Sequence, residues 1–509
     1  MGPALMRNVR RFLWGALTAS AAACTLGPNF KQPALPDKSV YSQSLRVENS
    51  AGLTYGGDVA DEWYTLFHSD ALNALVRQAL TNSPDLDAAR HGLMAAQYQL
   101  KAVAGSALPQ IDGSGQVGRA HANGSFLYGP VNELDVTADQ FSAGLALTYN
   151  LDLFGGIRRS IESQRAQTAS VRDQVLDTYI TLVDQVVINA FDYAATCAQI
   201  DVTRSLMDEL RAQFELTQHL EQAGKGTRSD TLQAQTQFEN TAATLPGLEQ
   251  QRDTYRNALV QLTGSTPDDF TMPNLSLKDF SLPTDVPVSL PSALVRHRPD
   301  VLAAEDSLHQ ASAAIGVAEA ARFPSISLSA SYAQQTSLIN EFLTRPGGIW
   351  SVGADLSSPI FHGGSLAARE HEAREQYLQA EGTYRKTIVA AFVEVANALQ
   401  SIGHDRDGYT AHMRALDAAR ANSALAQAQF RAGRYTELQV LTAEQQFQQA
   451  ALTQVQADAQ RFTDIAALFR ALGGGWWNAS RDPALPVASM QSAPNAASAT
   501  SSRQGVSHE

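Results

Sequence analysis

Two stretches of this chain decide what it can fold into. Between Ile157 and Ala223 there is neither a glycine nor a proline. The apolar residues Val171, Val175, Tyr179, Leu182 and Val186 advance by 4, 4, 3 and 4, the period of one helix face. A helix over this run is roughly 100 Å long at ~1.5 Å per residue, against about 11–12 residues for a mean globular helix. A second run, Ser365 to Ala432, repeats the pattern with Tyr384, Ile388, Phe392, Val395, Leu399 and Ile402, and no proline occurs between Pro359 and Pro483. Rods of this length are no enzyme core. They bridge a distance.

Composition agrees with long helices packed through small side chains, since only 7% of the chain is aromatic and 17% charged. A net charge of −13 argues against nucleic acid as a partner. Beyond the N-terminus no apolar run reaches the ~18 residues of a membrane-spanning helix. Residues 1–23 read as a signal peptide: Arg7, Arg10 and Arg11 are basic, Phe12 to Ala19 apolar, and Ser20 to Ala23 small. Cys24 follows and is the candidate acylated residue, although Ala21 stands where a lipobox usually has leucine. Thr25 after it, rather than aspartate, favours outer-membrane sorting. The other cysteine, Cys197, lies mid-rod, so acylation of Cys24 leaves no intrachain disulfide.

Residues 24–83 then divide into the anchor, an extended Pro/Gly-rich linker to about residue 58, and a first helix from Trp63 to Leu80. A helix from Pro84 reaches about Ala104. After Pro109 the period changes to 2, with Phe141, Ala143, Leu145, Leu147, Tyr149 and Leu151 alternating against Ser142, Gly144, Ala146, Thr148 and Asn150. This is a strand pair over about 109–151. The first rod, 157–223, ends at Gly224, and a return helix occupies 228–263, with Pro246 set to kink or interrupt it. Residues 265–298 hold five prolines and read as an irregular connector.

The pattern then recurs. Pro84-Asp85 returns as Pro299-Asp300, 215 residues on; Gly144/Gly353, Gly224/Gly433, Phe238/Phe447 and Gly264/Gly473 are 209 apart. The chain is a tandem repeat: residues 84–264, then 299–472, with a second strand pair at about 324–361, a rod at 365–432 and a return helix at 437–472. The six-residue difference in offset falls between Ile111 and Ser142, where the hairpin loop is the expected place for it. Residues 473–509 read as a disordered tail. Each protomer thus offers four amphipathic strands. Four cannot close a barrel, for which about eight are the minimum, and open edges are tolerated by neither water nor lipid. Several copies must pool their strands, apolar face to lipid and Ser/Thr/Gly face to a lumen.

The segments CTLGPNFKQP at Cys24, YNLDLFGGIRR at Tyr149, RPDVLAAEDSLHQASAAIGVAEAARFPSISL at Arg298, SPIFHGGSLAARE at Ser358, QAGKGTRSDTLQAQ at Gln222 and RAGRYTELQVLTAEQQ at Arg431 carry a resemblance to a family. Nearly the whole mature chain, to about Trp477, resembles the TolC-like outer-membrane factors of tripartite efflux systems, most closely their lipoprotein branch serving drug efflux. The resemblance implies an α+β membrane protein: a homotrimer with a twelve-stranded β-barrel, four strands per protomer, continued by a long α-helical coiled-coil barrel in the periplasm. It implies a periplasmic adaptor protein, an inner-membrane efflux pump and outer-membrane lipid as partners, no cofactor, no metal, no nucleic acid and no catalysis. It also implies that the rod tips at Gly224 and Gly433 narrow the tunnel, with Leu438 in an apolar ring. Four residues on, where the family often has aspartate, this chain has Thr442, and Glu444 nearby is a substitute only if it faces the lumen.

Other readings are weaker. Gly113, Gly115 and Gly118 have dinucleotide-fold spacing but sit in an expected strand, without the helix that the motif requires. His371 lacks the second histidine of a zinc-protease motif. A duct for type I protein secretion is the alternative function, which the Cys24 anchor disfavours. A surface coiled-coil adhesin would need no paired strands.

Overall fold

The computed structural model describes residues 25–33, 53–55, 57, 59–123, 135–283, 286–288, 291–342, 348–479 and 482–484. The signal peptide and Cys24 lie outside them, as does most of the C-terminal tail. The chain divides into two compact units, one of residues 1–34, 93–171 and 303–387, the other of 35–92, 172–302 and 388–509.

The first unit holds a four-stranded antiparallel sheet: β2 (Gln110–Asn123), β3 (Asp135–Leu151), β5 (Ser325–Thr336) and β6 (Gly348–Ser357), in that spatial order; β1 and β4 belong to the second unit. The register sorts the side chains by face. Ile111, Leu147, Ala330 and Val352 form one row across the strands, and Leu145, Tyr332 and Trp350 the next. Val117, Leu145, Tyr332, Trp350, Val352 and Leu356 are all exposed, so among the described residues nothing covers the apolar face. The opposite face carries Ser114 and Gly144, then Asp112, Ala146, Ser331 and Ser351, whose hydroxyls hydrogen-bond at 2.8 Å. Gly113, Gly115 and Gly118 all lie inside β2.

The six-residue difference is not taken up in a loop. The first hairpin ladder runs from Gln110↔Thr148 to Asn123↔Asp135, and the second from Ser325↔Ser357 to Gln334↔Gly348, four pairs shorter. The first hairpin has longer strands.

Residues 25–33, expected as linker, are built into this unit. The Arg159 guanidinium, itself buried, donates to the carbonyls of Leu26 (2.9 Å) and Gly27 (3.1 Å) and to Asn29 Oδ1 (2.8 Å). Phe30 stacks on His309 at 4.4 Å, and Leu26 N–H donates to the Phe154 carbonyl. Gly27 has φ +85°, and a Cβ there would lie 2.4 Å from Gly316 Cα, so only glycine lets the strap seat.

The second unit is mainly helical. Helices α1 (Asp70–Asn82) and α2 (Pro84–Gly105) begin the helical part of the chain. The first long helix, α3, is Gly156–Gln222. The return segment is two helices, α4 (Arg228–Ala242) and α5 (Leu245–Leu262), parted just before Pro246, which sits in the first turn of α5 where its missing N–H costs no helix hydrogen bond. After α6 (Pro291–His297) and α7 (Pro299–Ala320), α8 (Ser365–Arg431) is the second long helix, and its return helix α9 (Glu437–Ala471) is unbroken. Among the described residues no helix is long and apolar enough to cross a membrane.

The core of this unit is aromatic. Trp63 stacks on Phe469 at 5.2 Å, Phe67 meets Phe191 edge-on at 4.9 Å, and Phe280 meets Phe191 and Phe462. Phe280 belongs to the segment expected to be an irregular connector. That segment also contributes α6 and the strand β4 (Val286–Val288), which pairs in parallel with β1 (Leu53–Tyr55). Two segments expected to be irregular thus close on each other, and Val286 and Val288 of β4 are buried core residues. The start of the C-terminal tail, residues 473–479 and 482–484, is likewise packed where disorder was expected. Trp477 stacks on His297, Asp482 pairs with Arg172 at 3.0 Å, the Pro483 carbonyl accepts from Arg90, and Ala484 is buried.

Candidate functional site

Both long helices end in the same backbone device. At the first end, Gly224 has φ +68°, and the N–H groups of Lys225 and Gly226 donate to the Leu220 carbonyl. At the second, Gly433 has φ +72°, and Arg434 N–H donates to the Gln429 carbonyl at 2.9 Å. An added Cβ would meet nothing within 4 Å at either glycine, so the left-handed backbone alone demands the residue. Three residues later Thr227 and Thr436 cap the return helices, each in a reciprocal capping box, with Asp230 and Gln439 respectively. Arg211 lies over the Phe238 ring and Arg420 over the Phe447 ring, again 209 apart.

Between the return helices lies an open groove of about 370 Å³ lined by Leu232, Gln233, Leu438, Leu441 and Thr442 among others. Leu438 is 60% exposed, the most accessible large apolar residue of the second turn. Leu441 instead packs on Leu206 and Leu210 of α3. Thr442 Oγ1 donates to the Leu438 carbonyl at 2.7 Å, so its hydroxyl is spent on its own helix. Leu438 and Thr442 both line this groove.

Glu444 does not join them. It is 2% exposed and accepts a hydrogen bond from Gln427 Nε2 of α8 at 3.0 Å. As a carboxylate ring bordering an opening beside Leu438 it is on the wrong side of its helix, because Val440, Ala443 and Glu444 form the face laid on Ala426. A second acid, Glu437, escaped the sequence reading. It is 5% exposed and accepts from Gln213 Nε2 of α3 at 2.6 Å. The signal was present: Glu437 and Glu444 are seven residues, two helical turns, apart and flank the apolar Val440-Leu441 pair. Burial raises both carboxyls above the ordinary carboxylate range.

Arg298, in the most specific of the segments above, also acquires a role. Its guanidinium forks onto Asp300 (2.9 and 2.6 Å), and Nη1 donates to Glu394 (2.7 Å) and to the Ala471 carbonyl at the end of α9 (3.0 Å). One buried cation so ties the start of α7 to α8 and α9. Among the described residues, no three His, Cys, Asp or Glu side chains come together as a metal site.

The family model for outer membrane efflux proteins matches residues 75–265 and 290–474. The chain belongs to the outer membrane efflux protein family. The two matched stretches fall one on each repeat. Among curated relatives, the chain is 30% identical over 462 residues to the probable efflux pump outer membrane protein TtgC of Pseudomonas putida, covering 89% of this chain and 93% of that one. It is 28% identical over 458 residues to the cation efflux system protein CusC of Escherichia coli, covering 89% and 96%. Among solved structures, the outer-membrane channel OprN superposes with a TM-score of 0.80 at 29% identity, over 89% of this chain and all of the other. The Campylobacter jejuni CmeC channel gives 0.82 at 22%, over 90% and 97%, a likeness of fold. This outer membrane efflux protein is an outer-membrane exit channel of an efflux system. Family members are channels, transporters rather than enzymes. Its four-stranded sheet is the share one chain brings to a barrel, and the exposed apolar face is the side for lipid.

Proposed function

We propose that three copies close a twelve-stranded barrel and a periplasmic helical tunnel, docked through a periplasmic adaptor to an inner-membrane pump. One observation carries the reading. The sheet has one apolar and one polar face, and among the described residues its edges, β2 and β6, have no further strand beside them. In a bilayer unpaired edges are intolerable, so β2 of one copy pairs with β6 of the next. The cargo is proposed to be small toxic compounds, a reading supported by the likeness to the toluene efflux relative TtgC. Conduction is passive and the pump supplies the energy. Native mass measurement in detergent should give three mature chains, and reconstituted protein should conduct across planar bilayers. A stable folded monomer would overturn the barrel.

Cys24 is proposed as the lipid anchor. The strap that follows it supports this: Thr25, the next residue, lies against Gly155, four residues past the end of β3. Cys24→Ser should abolish acyl labelling and leave assembly intact, since the barrel itself holds the membrane. Leu438 is proposed as an apolar constriction that resists ions by dewetting, with the turns at Gly224 and Gly433 meeting the adaptor. With Glu444 packed away and Thr442 uncharged, packing rather than a carboxylate ring closes it.

A further inference from the structure

The second turn carries two acids with no acidic counterpart in the first. Glu437 and Glu444 stand where the first repeat has Arg228 and Gln235, both exposed. Each acid has one carboxyl oxygen on a glutamine amide of a neighbouring helix, Gln213 of α3 and Gln427 of α8. The other oxygen of each, Oε2, is sealed from solvent without a hydrogen-bond partner. Around these contacts α9 is pressed onto α3 by Leu441 on Leu206 and Leu210, and onto α8 by Val440 and Ala443 on Ala426. The geometry points to a proton-set latch: Glu437 and Glu444, neutral while buried, hold the first turns of α9 onto α3 and α8, and their ionisation releases them.

The physical reason is the cost of a buried charge. An ionised carboxylate with one oxygen unpaired in a dry contact is far costlier than the neutral acid. The charges acting on the pair deepen this cost: Asp230 of α4 and Glu444 itself act on Glu437, and Glu209 of α3 acts on Glu444, all negative. The amides of Gln213 and Gln427 oppose it by stabilising the ionised form. Burial, the larger effect, leaves both carboxyls raised from the ordinary 4.5. A carboxyl raised in the packed state stabilises packing fully below its ordinary value and loses that contribution as pH rises through the raised value. Acid therefore fastens α9, and a rising pH loosens it. The first turn, with Arg228 and Gln235, has no such response.

The latch rests on the channel reading for its consequence, since α9 carries Leu438. The test uses full-length protein with two readouts. In planar bilayers, resting conductance of the native channel should rise several-fold as pH is raised from acid to alkaline. The Glu437→Gln/Glu444→Gln double variant, permanently neutral, should stay at the low acid level throughout. Gln427→Ala keeps both acids and removes a group that favours ionisation, so its response should move to higher pH. Infrared spectra in detergent should show the carbonyl stretch of buried protonated carboxyl in native protein, weakened in the double variant. A native channel that conducts with no pH response, or a double variant that keeps the native profile, would overturn the latch. Absence of any conductance would sink the channel reading instead, and the infrared band would still decide the latch. Should the double variant fail to assemble, the direction of the Gln427→Ala shift decides.

Discussion

The two helix-end turns are built alike and buried differently. Gly224 and Gly433, Thr227 and Thr436, and the cation–ring pairs Arg211–Phe238 and Arg420–Phe447 keep the same positions 209 residues apart. Two equivalent residues are buried at each, Thr231 and Ala234 at the first turn and Val440 and Ala443 at the second, but Glu437, Leu441 and Glu444 are buried where Arg228, Leu232 and Gln235 are exposed. Turn chemistry is local and survives duplication. Burial depends on what lies alongside, and there the copies diverge: α9 packs on both long helices and stays whole, whereas the first return segment breaks at Pro246.

The largest expected effect breaks that asymmetry at its apolar point. Leu438→Ser makes the second turn resemble the first, which has Ser229, and should raise resting conductance in planar bilayers many-fold. Thr442→Ala, losing only a hydroxyl bound to its own helix, should change it little. A larger effect from Thr442→Ala would place the constriction elsewhere. Next, Val455→Pro writes the break of the first return segment into α9. Lacking a helix start to receive it, the proline should cost about 3 kcal/mol or more, read as faster hydrogen exchange along 437–471. Pro246→Ala should leave its own segment nearly unchanged.

The long helices differ too. Asp184 of α3 is buried, one carboxyl oxygen lacking a partner and the other 3.8 Å from Arg470, while its repeat counterpart Val393 on α8 is exposed. Burial, against the opposing pull of Arg470, pushes the carboxyl up to about 6. Asp184 therefore favours folding fully below 3.8 and loses that contribution as pH rises through about 6. Asp184→Asn should raise the unfolding free energy above about pH 7, by roughly 3 kcal/mol at most, and have little effect near pH 4. The smallest effect sharpens the likeness: Thr227→Ala and Thr436→Ala should each cost about 1 kcal/mol by chemical denaturation, and equally. Unequal costs would show that the caps are not equivalent.

The sequence by itself determined whatever is written in short-range spacing. The 3.6 and 2 periods laid out the rods and strands, with Gly156–Gln222 observed where 157–223 was expected, and the 209-residue offset related the two turns before any coordinates did. It placed Leu438 and Thr442 on one open face, since residues four apart share a helix side. Only tertiary structure decided which faces are covered. Gln213 reaches Glu437 across 224 positions, and Arg90 meets Pro483 across 393. Nothing in the spacing of Glu444 told a lumen-facing acid from one packed on Ala426 and bonded to Gln427. The same holds for the strap on Arg159, the β1–β4 pair and the Arg298 tie. A polar side chain records the chemistry it can do, but its burial is set by the helix that comes to lie against it, and that partner is chosen by the packing of the whole unit.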